Sequence, residues 1–150
     1  LVTGASTDLV DQALRWGAAW AELAGVPSPR VSGLLATPPA DREQRRRDAR
    51  RLLEGVGVPA AGASDLVLTV ARIAPQKDLG TLVAAAAADA AGHPSPPRIW
   101  VVAGGGEPHL ADRLREQARR NGAPLELVGA QDDPAPWLRA AAVFVLTSHW

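Results

Sequence analysis

The stretch Leu66-Val67-Leu68-Thr69-Val70-Ala71-Arg72-Ile73-Ala74-Pro75-Gln76-Lys77 is an apolar run that ends in two cations, Arg72 and Lys77. From Leu66 to Ala71 it is almost wholly apolar and rich in branched residues, without alternation, which predicts a strand buried on both faces. Beyond it Leu79, Leu82, Val83, Ala86 and Ala90 recur at spacings of three, four, three and four, which predicts a helix with one inward face. A buried strand followed at once by an amphipathic helix is the repeating unit of a parallel sheet with helices packed over it.

The unit repeats downstream. Ile99 to Ala103 predicts a second strand, Gly104-Gly105-Gly106 a tight exit, and Pro108 a helix start, with Leu110, Leu114 and Ala118 inward and Asn121-Gly122 as the stop. Leu125 to Val128 predicts a third strand ending at Gly129, then a short helical segment around Pro134 to Ala141, and Ala142 to Thr147 a fourth strand. Upstream, Asp41 to Glu54 reads as a charged helix with Ala49, Leu52 and Leu53 inward and Gly55 as its C-terminal glycine. Leu1 to Ala5 predicts a short strand. A helix capped by Ser6, Thr7 or Asp8 follows, with Val10, Ala13 and Leu14 on one face. The Pro27, Pro29 and Pro38-Pro39 stretch is a connector with a short strand around Val31 to Leu35. The fold class is α/β: a Rossmann-like parallel sheet with helices on both faces.

Composition narrows the function. The 150 residues contain no Cys, and sixteen basic residues balance sixteen acidic ones. No disulfide or thiolate metal site can form, and a nucleic-acid partner has no global electrostatic support. The one basic cluster, Arg42, Arg45, Arg46, Arg47, Arg50 and Arg51, is interleaved with Asp41, Glu43, Asp48 and Glu54, as on a solvated helix face with i to i+4 pairs. No apolar run is long enough to span a membrane, so no transmembrane segment is expected. His93, His109 and His149 lack metal-ligand spacing, and no metal is expected. The opening Leu1-Val2-Thr3-Gly4-Ala5-Ser6 starts like a short-chain dehydrogenase, but Thr7-Asp8-Leu9-Val10 stands where the phosphate-loop glycines are needed. The skew toward Ala, Arg, Gly and Pro suggests a high-GC bacterial source. Lys77 is the only Lys in the chain.

Right-handed crossovers place every strand-to-helix loop on the carboxyl edge of the sheet, where ligands of such sheets bind. Arg72 at a strand end and Lys77 at a helix start can offer a planar fork and a point charge to adjacent phosphates. The plainer reading pairs Arg72 with a carboxylate and leaves Lys77 solvated. Gly104 and Gly105 allow close approach of backbone and shape the crevice. In the loop from Gly129 to Asp133, exposed backbone could meet a nucleobase edge, while Asp132 or Asp133 could instead cap the helix begun at Pro134.

Four pieces in this order carry a resemblance: Val70-Ala71-Arg72-Ile73-Ala74-Pro75-Gln76-Lys77, Val101-Val102-Ala103-Gly104-Gly105-Gly106, Leu127-Val128-Gly129, and Ala140-Ala141-Ala142-Val143-Phe144-Val145-Leu146-Thr147-Ser148. Together they resemble the C-terminal domain of retaining GT-B glycosyltransferases of the family 4 type. The resemblance implies that Arg72 and Lys77 bind the donor diphosphate and stabilise it as leaving group, which makes them the catalytic residues of this chain. It implies that Gln131 offers backbone groups and Asp133 its side chain to the base. The substrate would be a nucleotide diphosphate-sugar donor, with an unspecified acceptor and no cofactor. Asp78 departs from the Gly that the family most often has after the Lys, and an acidic residue is comfortable in a first helical turn. Residues 1–38 would be the remnant of the N-terminal acceptor domain with its connector, and 39–150 the first part of the donor-binding domain. The family's paired glutamates would follow Trp150 and most of the acceptor domain would precede Leu1, so the chain reads as a fragment of a hexosyltransferase, inactive by itself. A cytoplasmic location, or the inner membrane face, is implied. The competing readings are a non-catalytic nucleotide-sugar-binding module and a GT-B-like epimerase.

Overall fold

The structure is a computed structural model, and it describes residues 2–4, 15, 21–23, 40–59, 65–92 and 98–149. The chain forms two compact units, Leu1–Thr37 and Pro38–Trp150. In the first, β1 (Val2–Gly4) pairs in parallel with β2 (Ala21–Leu23). The strand expected at the chain start is present, whereas β2 was not anticipated, since Ala-Glu-Leu has no β-branched residue to mark it. The helix expected around Val10 to Leu14 and the strand around Val31 to Leu35 lie outside the described residues.

The second unit carries the site. Its elements run α1 (Arg42–Gly55), β3 (Leu66–Val70), a 3₁₀ turn (Pro75–Lys77), α2 (Leu79–Gly92), β4 (Ile99–Ala103), α3 (Pro108–Arg120), β5 (Leu125–Gly129), α4 (Ala135–Ala140) and β6 (Val143–Phe144). The four strands are all parallel, in the order β5-β4-β3-β6. After β3 the chain moves outward through β4 to β5, then returns to pair β6 with the far side of β3. Strand order therefore reverses at β3, and the crevice of such a sheet lies at the carboxyl ends of β3 and β6.

The central strands are buried on both faces because each sends alternate side chains to a different core. Val67, Trp100 and Val102 pack with Leu79, Leu82, Val83 and Ala86 of α2 and Ala111, Leu114 and Ala118 of α3. Leu66, Leu68, Val101 and Ala103 pack with Ala49 and Leu53 of α1 and Trp137 and Ala140 of α4. Near-continuous apolar runs are what two-sided burial requires. Two polar groups are satisfied within these layers: Trp100 Nε1 donates to Asp89 Oδ2 at 3.1 Å, and Arg98 pairs with the same carboxylate.

Helix ends follow local chemistry. Asp41 caps α1 by accepting from the Gln44 amide at 2.7 Å. The C-terminal glycine of α1 is Gly57, at φ 78°, and not Gly55, which is the last helical residue. Gly57 N–H donates to Glu54 and Val58 N–H to Leu53, which satisfies the last carbonyls and brings Val58 against the core. The Asn121-Gly122 stop has the same geometry, with Gly122 at φ 63°. β6 is shorter than the expected Ala142 to Thr147. Beyond Phe144 the Val145 amide still donates to Leu68 O at 2.9 Å, while the Val145 carbonyl accepts from the buried Thr69 hydroxyl at 2.8 Å. Among the described residues no helix is long and apolar enough to cross a membrane.

At the amino edge, Asp65 precedes β3 and receives Arg42 Nη2 at 2.8 Å and Arg46 Nε at 2.9 Å. The hydrogen bond from Arg42 first, then the hydrogen bond from Arg46 and the charges of both guanidinium groups, against the opposing effect of burial, hold the Asp65 carboxyl down to about 2. Its folded value lies below the unfolded one, so the stabilisation is present above about pH 4 and is lost as pH falls through about 2. With Arg42 largely in water, Asp65→Asn is expected to lower stability by on the order of 1 kcal/mol at pH 7. Denaturant titrations of both chains should converge near pH 2.

Candidate functional site

Four chain segments leave the carboxyl edge of the second unit: residues 71–78 after β3, 104–107 after β4, 129–134 after β5 and 145–149 after β6. The first is held from both sides. On the β4 side the ladder continues past the strands, with Ala71 N–H donating to Ala103 O at 3.2 Å and Ile73 N–H to Gly105 O at 2.8 Å. An isolated bridge joins Ile73 to Gly106. A Cβ on Gly104 would lie 1.9 Å from the Ala71 carbonyl oxygen, and one on Gly106 would lie 2.5 Å from the Ile73 oxygen. Two of the three glycines are thus required by the neighbouring backbone, while a Cβ on Gly105 would meet only Ala130 Cβ at 3.5 Å. The Gly104 amide donates to Gly129 O at 2.8 Å, which ties the second segment to the third.

On the β6 side Thr147 Oγ1 donates to Lys77 O at 2.9 Å and the His149 amide to Gln76 O at 3.2 Å. His149 Nε2 lies 3.5 Å from Asp78 Oδ2. Between these supports the chain turns through Pro75–Lys77, and Asp78 then adopts a left-handed conformation, φ 43° and ψ 49°. Asp78 therefore does not sit in a first helical turn as the sequence suggested. It precedes α2 and accepts from Thr81 Oγ1 at 2.7 Å. That hydrogen bond above all, then the Thr81 amide and nearby His149, outweigh burial and lower the Asp78 carboxyl below its ordinary range. A left-handed residue explains the expected preference for Gly at this position.

Arg72 is exposed and Lys77 is half-buried. Neither side chain has a hydrogen bond or ion pair among the described residues, so the carboxylate partner that the plainer reading gave Arg72 is not found there. Arg42, Arg46, Arg47, Arg98 and Arg115, by contrast, each pair with a carboxylate.

The third segment is more committed than the sequence indicated. Gly129, at φ 76°, turns the chain out of β5. Gln131 Nε2 donates to Val128 O at 3.0 Å and its Oε1 accepts from the buried Trp137 indole at 2.9 Å. Asp133 Oδ1 accepts from the Ala135 amide at 3.0 Å in a turn ahead of α4, but the N-cap is Pro134, with no side-chain cap bond, and not Asp132 or Asp133 as expected, because the helix starts one residue later, at Ala135. The Gln131 side chain is therefore bound to its own loop, while Asp133 retains a second oxygen with acceptor capacity. Two clefts flank the edge. One of about 290 Å³ lies between the turn and α3, lined by Ile73, Pro75, Asp78, Leu110 and Arg113. The other, about 450 Å³, separates α1 from α4 beside Leu52, Asp133, Pro136 and Arg139. Arg72 and Lys77 line neither. No role for Thr147 is legible in the sequence: its contact with Lys77 joins positions 70 residues apart, and no local pattern records it.

No family profile matches the chain, and no curated protein does. Solved structures do. HepE of Anabaena, crystallised with UDP and glucose, superposes with a TM-score of 0.72 at 19% identity, covering 99% of this chain and 38% of that one. The C-terminal domain of the Francisella tularensis group 1 glycosyl transferase LpcC gives 0.60 at 21% identity, covering 77% of this chain and 58% of that one. A glycosyltransferase from Rickettsia africae gives 0.60 at 17% identity over 97% of this chain and 37% of that one. The chain spans little more than a third of the length of the Anabaena protein. These likenesses show the fold alone: the chain shares the α/β parallel sheet with covering helices found in those glycosyltransferase structures.

Two stability measurements test the local geometry. Gly104→Ala is expected to lose more than about 2 kcal/mol, because the clash is with backbone that cannot rotate away. Thermal unfolding with Gly105→Ala alongside should show the latter far milder. At the turn, Asp78→Ala gives up the Thr81 hydrogen bond and keeps the left-handed conformation, whereas Asp78→Gly gives up the bond and relaxes the backbone. The glycine variant should be the more stable of the two by about 1 kcal/mol in denaturant titration.

Proposed function

We propose that this chain binds the diphosphate of a nucleotide-sugar donor, with Arg72 and Lys77 as the clamp, and serves retaining glycosyl transfer of the family 4 type. The observation that carries the reading is the placement of two cations, without partners among the described residues, on the segment leaving β3, where strand order reverses. Parallel α/β sheets bind ligands at that reversal. A guanidinium and an ammonium can bond adjacent phosphates and neutralise the charge that builds on a departing diphosphate. The base would rest against the segment from Gly129 to Asp133, touching backbone at Gln131 and the second oxygen of Asp133. Gly104 and Gly105 shape the crevice wall, and the Gly104 amide is already committed to Gly129. Structural likeness to HepE, whose crystal holds UDP and glucose, supports the same reading. Acceptor recognition and turnover are assigned to the longer enzyme of which such a domain is a part.

Calorimetric titration of UDP and of GDP tests it. Each charge-assisted contact contributes roughly 1.5 to 3 kcal/mol, so Arg72→Ala and Lys77→Ala should each raise Kd at least about tenfold. Gln131→Ala should leave the nucleotide affinity within about threefold, because only its backbone is assigned to the base. Unchanged affinity in both cation variants defeats the assignment.

A further inference from the structure

We infer that Thr147 is a positioning residue for Lys77, a role that rests on the diphosphate reading of the site. The peptide group between Lys77 and Asp78 is bonded at both ends. Its carbonyl accepts from Thr147 Oγ1 at 2.9 Å, and its N–H donates to Pro75 O at 3.1 Å. The Lys77 amide is held in turn by Ala74 O at 3.0 Å. Both peptide groups flanking the Lys77 Cα are thereby fixed.

The need for a lock lies in Asp78. Its φ of 43° is a conformation that L-residues other than glycine adopt at a cost. Rotation of the 77–78 peptide changes ψ of Lys77 and φ of Asp78 together, so a flip of this one group relieves the strain. Such a flip carries the Lys77 carbonyl away from Thr147 and loosens the backbone from which the ammonium projects. The hydroxyl of Thr147 opposes that motion directly. Thr147 stands at the exit of β6, on the opposite flank of β3 from the glycine-packed exit of β4. His149, bonded through its amide to Gln76 O and placed 3.5 Å from Asp78, adds two further ties from the same segment. The cation turn is thus clasped by the strand that the reversal of strand order brings beside it.

Thr147→Val keeps the shape and removes the hydroxyl, while Thr147→Ser keeps the hydroxyl. Two readouts are needed, UDP affinity by calorimetry and amide exchange at Asp78 by NMR. Thr147→Val should raise the Kd for UDP about fivefold, the net worth of one hydrogen bond, and speed exchange of the Asp78 amide. Thr147→Ser should restore both to within about twofold. Unchanged affinity and exchange in Thr147→Val overturn the inference, and so does a serine variant that fails to restore them, which assigns the effect to packing by the methyl group. If the parent chain takes up no UDP, the reading of the site fails by itself, and the exchange rates alone then decide whether the clasp exists.

Discussion

The backbone leaving β4 runs so close to the backbone leaving β3 that no side chain fits between them, and the carboxyl edge of the sheet depends on this approach. A Cβ at Gly104 would fall 1.9 Å from the Ala71 oxygen. With that space closed, the ladder extends beyond the strands to Ile73 and Gly105, and Arg72 is carried on regular, hydrogen-bonded chain rather than on a free loop. The same approach lets the Gly104 amide reach Gly129. Three of the four exits are therefore linked through backbone alone, which holds them without the entropy cost of ordering long side chains.

The fourth exit is joined differently. β6 pairs with β3 over only two residues, and its continuation is fastened by hydroxyls and single amides: Thr69 to the Val145 carbonyl, Thr147 to the Lys77 carbonyl, His149 to Gln76. The segment bearing the cations thus sits between a stiff glycine-packed neighbour and one attached by isolated hydrogen bonds, two of them from side-chain hydroxyls. Strain is found on that second flank, at Asp78, and the Thr81 hydrogen bond partly offsets it. A left-handed non-glycine residue beside the cation proposed to hold a diphosphate is consistent with the tendency of strain to collect where the chain must present a group in one direction.

The helical layers explain why the third exit has less to offer a ligand than its composition suggests. Trp137 is buried among α1, α4 and the sheet, and its indole N–H needs an acceptor. Gln131 supplies it and bonds its own loop with the other end of the amide. One oxygen of Asp133 is drawn to the Ala135 amide at the start of α4. In the proposed reading, contact with a base falls chiefly to backbone, where shape discriminates more than charge.

The sequence by itself determined the strand-helix alternation, because burial on both faces leaves long apolar runs and burial on one face leaves spacings of three and four. It also put Arg72 and Lys77 on the segment after β3, since cations stand out against apolar neighbours, but it expected an aspartate at the α4 N-cap, where the structure has Pro134. It placed the α1 stop at Gly55 and not at Gly57, because either glycine suits a helix end and only the last core contact, Leu53, selects the turn. Only the tertiary structure decided that Gly104 is required by Ala71, that Asp78 turns left-handed, and that Thr147 holds the Lys77 carbonyl. Each of those depends on which strands become neighbours. That order is set by packing two cores against one sheet, and residues 70 positions apart carry no local trace of it.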